Sequence, residues 1–152
     1  MTFIWRSLPL LAAVGAGPAA AQVTRELGVQ ALVTTANPAL VTGGVYAAVR
    51  PGLRFRLAAT LGAGVSDGRA AGRGELLAHF LLSPAAVGRP GVFAGGGIAG
   101  VVGPVDQGYV VAVLGVEAAP GGRSGWVAEA GVGGGVRLSV GWRWRWRPAR
   151  QQ

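Results

Sequence analysis

From Leu53 the chain places Leu53, Phe55, Leu57, Ala59, Leu61, Ala63 and Val65 on one parity, and Arg54, Arg56, Ala58, Thr60, Gly62 and Gly64 on the other. Successive side chains of an extended strand point to opposite sides, so alternation of this length predicts a strand with two unlike faces. The carboxy-terminal stretch repeats the pattern more sharply. Val136, Leu138, Val140, Trp142, Trp144 and Trp146 alternate with Arg137, Ser139, Gly141, Arg143, Arg145 and Arg147. A helix would scatter both sets around its circumference.

Turn chemistry divides the rest into pieces of similar length. Strands are predicted over Arg25–Thr35, Leu40–Arg50, Leu53–Val65, Gly74–Leu82, Val92–Val102, Gly108–Ala118, Gly125–Val132 and Val136–Arg147. Between them fall Asn37-Pro38, Pro51-Gly52, Ser66-Asp67-Gly68, Pro84 to Gly91, Gly103-Pro104, Pro120-Gly121-Gly122 and Gly133-Gly134-Gly135. These residues supply the fixed or positive φ angles that reversals require. Short connections make consecutive strands antiparallel, because parallel pairing needs long crossovers. The strand lengths match the roughly nine to eleven residues with which a tilted strand crosses a bilayer. The piece from Tyr109 to Val116 carries no charge on either parity, whereas a soluble sandwich needs a polar outer face. The fold expected is all-β: a closed, antiparallel, eight-stranded up-and-down β-barrel that spans a membrane.

Composition narrows the chemistry. Gly numbers 28 and Pro 9 of 152 residues, yet 51% of the chain is hydrophobic and 13% charged, which excludes a disordered linker. Without Cys and with one His, thiolate and multi-histidine metal sites are excluded, and no cofactor is expected. The net charge of +8 comes from 14 basic residues, all Arg. Arginine without lysine fits a GC-rich coding bias, so the charge does not argue for a nucleic-acid partner.

The first residues read as a leader. Arg6 supplies a charge, Leu8 to Gly17 is apolar, and Ala19, Ala20 and Ala21 offer the small residues that signal peptidase needs. Residues 1–21 are expected to be a cleaved signal peptide, 22–147 the barrel and 148–152 a short polar tail. Pro9, Pro18 and the shortness of the apolar run argue against an uncleaved anchor.

Three motifs have plainer readings. Gly95, Gly97 and Gly100 fit the spacing of a dinucleotide loop, but Gly103-Pro104 follows where a helix should start. Gly96 and Gly100 make a small pair of the kind that packs membrane helices, in a segment too short to span. Glu75, His79 and Ser83 would share one face of a helix as acid, base and nucleophile. On a strand successive members lie roughly 13 Å apart, which makes His79 a lumen histidine.

The leader, the eight alternating strands, the small residues on the inner parity and the aromatic last strand, Val136 to Trp146, together resemble the small eight-stranded outer-membrane β-barrels of bacteria. The resemblance spans nearly the whole chain after the leader and is one of architecture. It implies a location in the bacterial outer membrane, membrane lipid and the barrel assembly machinery as partners, and a non-enzymatic structural or envelope-associated role. Members of that class usually finish on an aromatic residue, whereas Arg147 to Gln152 follow Trp146 here.

On the barrel reading a lumen charge cluster is expected from Glu26, Arg54, Arg56, Glu75, His79, Glu117, Glu129, Arg137, Arg143 and Arg145, with Glu26 meeting Arg143 or Arg145 at the seam. Phe55, Trp142, Trp144 and Trp146 are the expected lipid-facing aromatics, Trp146 nearest the interface. Eight strands enclose only their own side chains, so the lumen should be filled. Two alternatives stand beside this reading. One is a soluble periplasmic or secreted barrel in which Leu53, Phe55, Leu57 and the three tryptophans line a ligand cavity while the arginine parity faces water. The other is a lipid-modifying barrel enzyme.

Overall fold

A computed structural model describes residues 23–146. The expected signal peptide, the start at Gln22, Arg147 and the 148–152 tail lie outside the described residues. Eight strands follow one another: β1 (Thr24–Thr34), β2 (Leu40–Arg50), β3 (Phe55–Ser66), β4 (Arg69–Leu81), β5 (Gly91–Val102), β6 (Gln107–Glu117), β7 (Ser124–Val132) and β8 (Val136–Trp146). Each pairs antiparallel with its neighbours in sequence, and β8 pairs with β1 from Arg25↔Trp146 to Thr34↔Arg137. The sheet is a closed up-and-down barrel with the strand order of the chain.

One end of the barrel, here the seam end, holds the start of β1 and the end of β8, with connections 51–54, 82–90 and 118–123. The opposite end carries connections 35–39, 67–68, 103–106 and 133–135. The tightest reversal is Asp67-Gly68, with φ of 52° and 69°, the paired positive angles of a two-residue hairpin matched to strand twist. It lets pairing resume at once, with Ser66 opposite Arg69. For that reason β4 starts five residues before the expected Gly74 and takes in Arg73. At β3 the boundary moves the other way. Pairing with β4 begins at Phe55↔Phe80, so Leu53 and Arg54 belong to the connection after Pro51-Gly52. The Arg54 carbonyl accepts from Leu81 N at 2.7 Å, while its side chain is exposed.

Closure leaves no edge, and alternate side chains divide between lumen and outer wall. The outer parity of the paired strands is apolar from β1 round to β8 apart from Arg25 and Ser124 at strand ends, and Val110 is 82% exposed there. The inner parity carries the charges, with Arg56, Arg137 and His79 at 0% exposure. Phe55, Leu57, Trp142, Trp144 and Trp146 stand on the outside, so the arrangement required by the soluble alternative, with these residues lining a cavity, does not occur.

The lumen is narrow enough that inward glycines are space for their neighbours. Phe93 lies across Gly115 on the adjacent strand, and His79 lies against Gly95. A Cβ at Gly115 would collide with the Phe93 ring, whereas one at the outward Gly43 meets nothing within 4 Å. Overpacking a closed core costs about 1–3 kcal/mol. Gly115→Ala is therefore expected to lower stability by about that amount in denaturant titration, and Gly43→Ala to stay within about 0.5 kcal/mol. Equal effects from the two would mean that Gly115 does not face the lumen.

Candidate functional site

The site the fold builds is the lumen. Of the residues expected there, Glu26 (β1), Arg56 (β3), Glu75 and His79 (β4), Glu117 (β6), Glu129 (β7) and Arg137, Arg143 and Arg145 (β8) are all buried inside. Arg54 is the correction: it precedes β3 and is exposed, because β3 pairing starts one residue later.

Two arginines join that were not foreseen. Arg50 is the last residue of β2 and shares the inward parity of Thr42 and Tyr46. Arg73 shares the parity of Glu75 and His79 but fell between the expected turn and the expected strand. Arg50 ends the expected strand Leu40–Arg50 on its inward parity, and Arg73 lies one residue before the expected Gly74.

The side chains form one continuous network. Toward the opposite end, Glu75 accepts from Arg73 Nε at 2.7 Å and takes both prongs of Arg137, Nε at 3.0 Å and Nη2 at 2.7 Å. Arg137 Nη2 also lies 2.9 Å from Glu129, which pairs with Arg143 Nη2 at 2.6 Å and accepts from Ser139 Oγ at 3.2 Å. Toward the seam end, Glu117 receives Arg145 at 2.8 Å, Arg56 at 2.9 Å and Arg50 at 3.3 Å. Glu26 is hydrogen-bonded to Arg50 Nε, with Arg145 Nε at 3.5 Å and Arg56 Nη1 at 3.7 Å. The expected meeting of Glu26 with Arg145 occurs across the β1–β8 seam, where the two are direct cross-strand partners.

Six arginines, Arg50, Arg56, Arg73, Arg137, Arg143 and Arg145, face four glutamates, so two positive charges are in excess. Aromatic faces take part of that excess. Arg143 lies 4.0 Å from the Tyr46 ring centroid and Arg56 4.5 Å from that of Phe93. The negative face of a ring attracts a cation, more strongly when water is absent. Backbone carbonyls take more: Arg73 Nη2 donates to Gly133 O at 3.1 Å, Arg50 Nη1 to Pro120 O and Arg145 Nη1 to Ala119 O, both at 3.4 Å. Among the described residues, five nitrogens of Arg56, Arg137, Arg143 and Arg145 still lack a hydrogen-bond partner.

His79 is tied to this system and not to an acid. Arginine can only donate, so His79 Nδ1 accepts from Arg56 Nε at 3.1 Å, and the ring packs on Phe93 with centroids 5.0 Å apart. Glu75 is engaged by arginines on both sides, and Ser83 lies beyond β4 in a connection. Among the described residues, no group of three or more His, Asp or Glu is placed to hold a metal ion.

Around the network the lumen is packed. Tyr46, Ala48, Ala58, Leu77, Val111 and Val113 belong to an apolar cluster across β2 to β6. One internal void, of about 10 Å³ beside Gln30, Thr42, Thr60 and Arg73, has space for at most a single water. A second of about 40 Å³ opens at the opposite end between Asn37, Ser66, Arg73 and Tyr109.

On the outer wall the four named aromatics are about half exposed, and two more stand near the same end: Phe80, opposite Phe55, and Trp126, opposite Trp142. No protein-family model matches the chain, and no curated protein is significantly similar to it.

Removing one carboxylate from a buried multivalent cluster strands its cations, at a cost of about 3–5 kcal/mol. Glu117→Gln, which leaves Arg50, Arg56 and Arg145 short of a charge partner, is expected to destabilise the barrel by about that much in equilibrium unfolding. The turn variant Asp67→Asn should stay within about 0.5 kcal/mol. Matching losses would mean that the network contributes no more than a surface charge.

Proposed function

We propose that this chain is an integral β-barrel of the bacterial outer membrane, non-enzymatic and with a filled lumen, serving a structural or envelope-associated role after insertion by the barrel assembly machinery. The observation that carries the reading is the inversion of the usual polarity: six arginines and four glutamates are buried, while leucine, valine, isoleucine and tryptophan cover the outer wall. Soluble monomers rarely expose contiguous apolar patches beyond a few hundred Å², whereas hydrocarbon demands such a wall. Closure supports it further, because every strand in a bilayer must hydrogen-bond on both sides. Strands of 9 to 13 residues have the needed reach. The outward Phe55, Phe80, Trp126, Trp142, Trp144 and Trp146 lie toward the seam end, as an interfacial aromatic girdle would.

The full precursor expressed in a Gram-negative host should fractionate with outer membranes and migrate faster unheated than boiled, since a closed barrel resists detergent until heated. Recovery in the soluble periplasmic fraction with a single mobility would overturn the reading. The packed lumen makes a second expectation. In planar bilayers the purified barrel should give no stable conductance, and long-lived open channels of porin size would contradict a lumen filled by its own side chains.

A further inference from the structure

Arg25 is the one charged side chain on the outer parity of the eight described strands. It is exposed, no ion pair reaches it among the described residues, and it stands beside Trp146, its cross-strand partner at the seam. Below it the wall is hollowed. The row across four strands reads Leu27, Ala47, Ala59, Leu76, so two alanines lie side by side between two leucines. Val49 and Leu57 continue the wall level with Arg25. The result is a groove of about 770 Å³ lined by Leu27, Ala47, Leu57, Ala59, Leu76 and Trp146, with Arg25 at its rim. That volume lies within the roughly 300–1,000 Å³ typical of sites for small ligands.

We propose that this groove is a binding site for an anionic phospholipid, the phosphate held by Arg25 and one acyl chain lying over Ala47 and Ala59. This rests on the membrane reading above and adds a ligand to it. Glu26 also borders the groove, but its side chain is buried on the lumen side against Arg50, so the groove presents one exposed cation at one end and apolar side chains along the rest, the complement of an amphiphile with one anionic head. The planar guanidinium fork suits a phosphate, and the Trp146 indole beside it suits the boundary between headgroup and chain. A second copy of the chain fits poorly. All four glutamates are inside the lumen and both aspartates sit in connections at the opposite end, so a parallel neighbour brings no carboxylate to Arg25.

The test is native mass spectrometry of the full barrel released from vesicles of equal phosphatidylglycerol and phosphatidylcholine, with heat-modifiable migration checked for every variant. One retained phosphatidylglycerol is expected, with a preference of about fivefold, the worth of one basic side chain at an anionic surface. Arg25→Gln should erase the preference, and Ala47→Leu with Ala59→Leu should fill the groove and abolish retention in a barrel that still shifts on heating. Arg123→Gln, at the same end but outside the groove, should leave the preference intact. An inserted, heat-modifiable barrel without preference overturns the groove alone, whereas failure to insert overturns the membrane reading and the groove with it. Equal losses in the Arg25 and Arg123 variants mean diffuse attraction and no site. Retention that appears only when the chain ends at Trp146 means that residues 147–152 fill the groove, which also overturns the proposal.

Discussion

The pairing of β8 with β1 is the constraint on which the rest depends. Once the ladder closes, no strand has a free edge and each side chain has two destinations, a narrow interior or the outer wall. Period two then decides the chemistry of both surfaces together. Every position given to arginine or glutamate on one parity forces its neighbours to the other side, and in the described strands those neighbours are apolar except Arg25 beside Glu26. The charged lumen and the apolar wall are one fact seen from two sides.

The interior meets its own electrostatic cost through multiplicity. A single buried ion pair seldom recovers the desolvation of its partners. Here each carboxylate serves several cations: three arginines hydrogen-bond to Glu117 and a fourth, Arg143, lies 3.8 Å away, and both Glu75 and Glu129 are gripped by two. The tyrosine and phenylalanine faces under Arg143 and Arg56 accept charge without adding any. Gly95 and Gly115 matter in the same account, because they admit the His79 and Phe93 rings that complete the packing around Arg56.

Strand number, antiparallel order and the sense of each face were legible in the sequence, because alternation in β3 and β8 is nearly unbroken and turn residues fall at regular intervals. Strand ends were less so. Arg54 was assigned inward by extending the β3 parity past Phe55, yet parity binds only residues held in the ladder, and pairing with β4 stops there. Arg73 was missed for the converse reason: the small residues between Arg69 and Arg73 carry little intrinsic strand preference, and they become a strand because the Asp67-Gly68 turn lays them on β3. At the seam closure fixes Glu26 against Arg145. Arg73–Glu75 lies within β4, and Arg50–Glu26 and Arg143–Glu129 join adjacent strands. The contacts of Glu117 with Arg50, Arg56 and Arg145 and of Glu75 with Arg137 cross the lumen between strands whose relative stagger no local pattern encodes.

The two ends of the lumen are not equivalent. At the seam end, Gly121 N donates to Ala86 O at 2.9 Å, joining connection 118–123 to connection 82–90, and Pro120 and Ala86 are buried. Arg50 and Arg145 reach carbonyls of Pro120 and Ala119, so the cap is fastened to the charges beneath it. At the other end the connections are shorter, and the 40 Å³ void reaches Arg73, which is held by Glu75 and by Gly133 O. A small solute arriving from that mouth meets a guanidinium held in place by Glu75 and Gly133 O, with the Arg137–Glu129–Arg143 chain behind it. The interior is thus built as a fastened column, while on the outer parity of the described strands charge is confined to Arg25 at the rim of the groove.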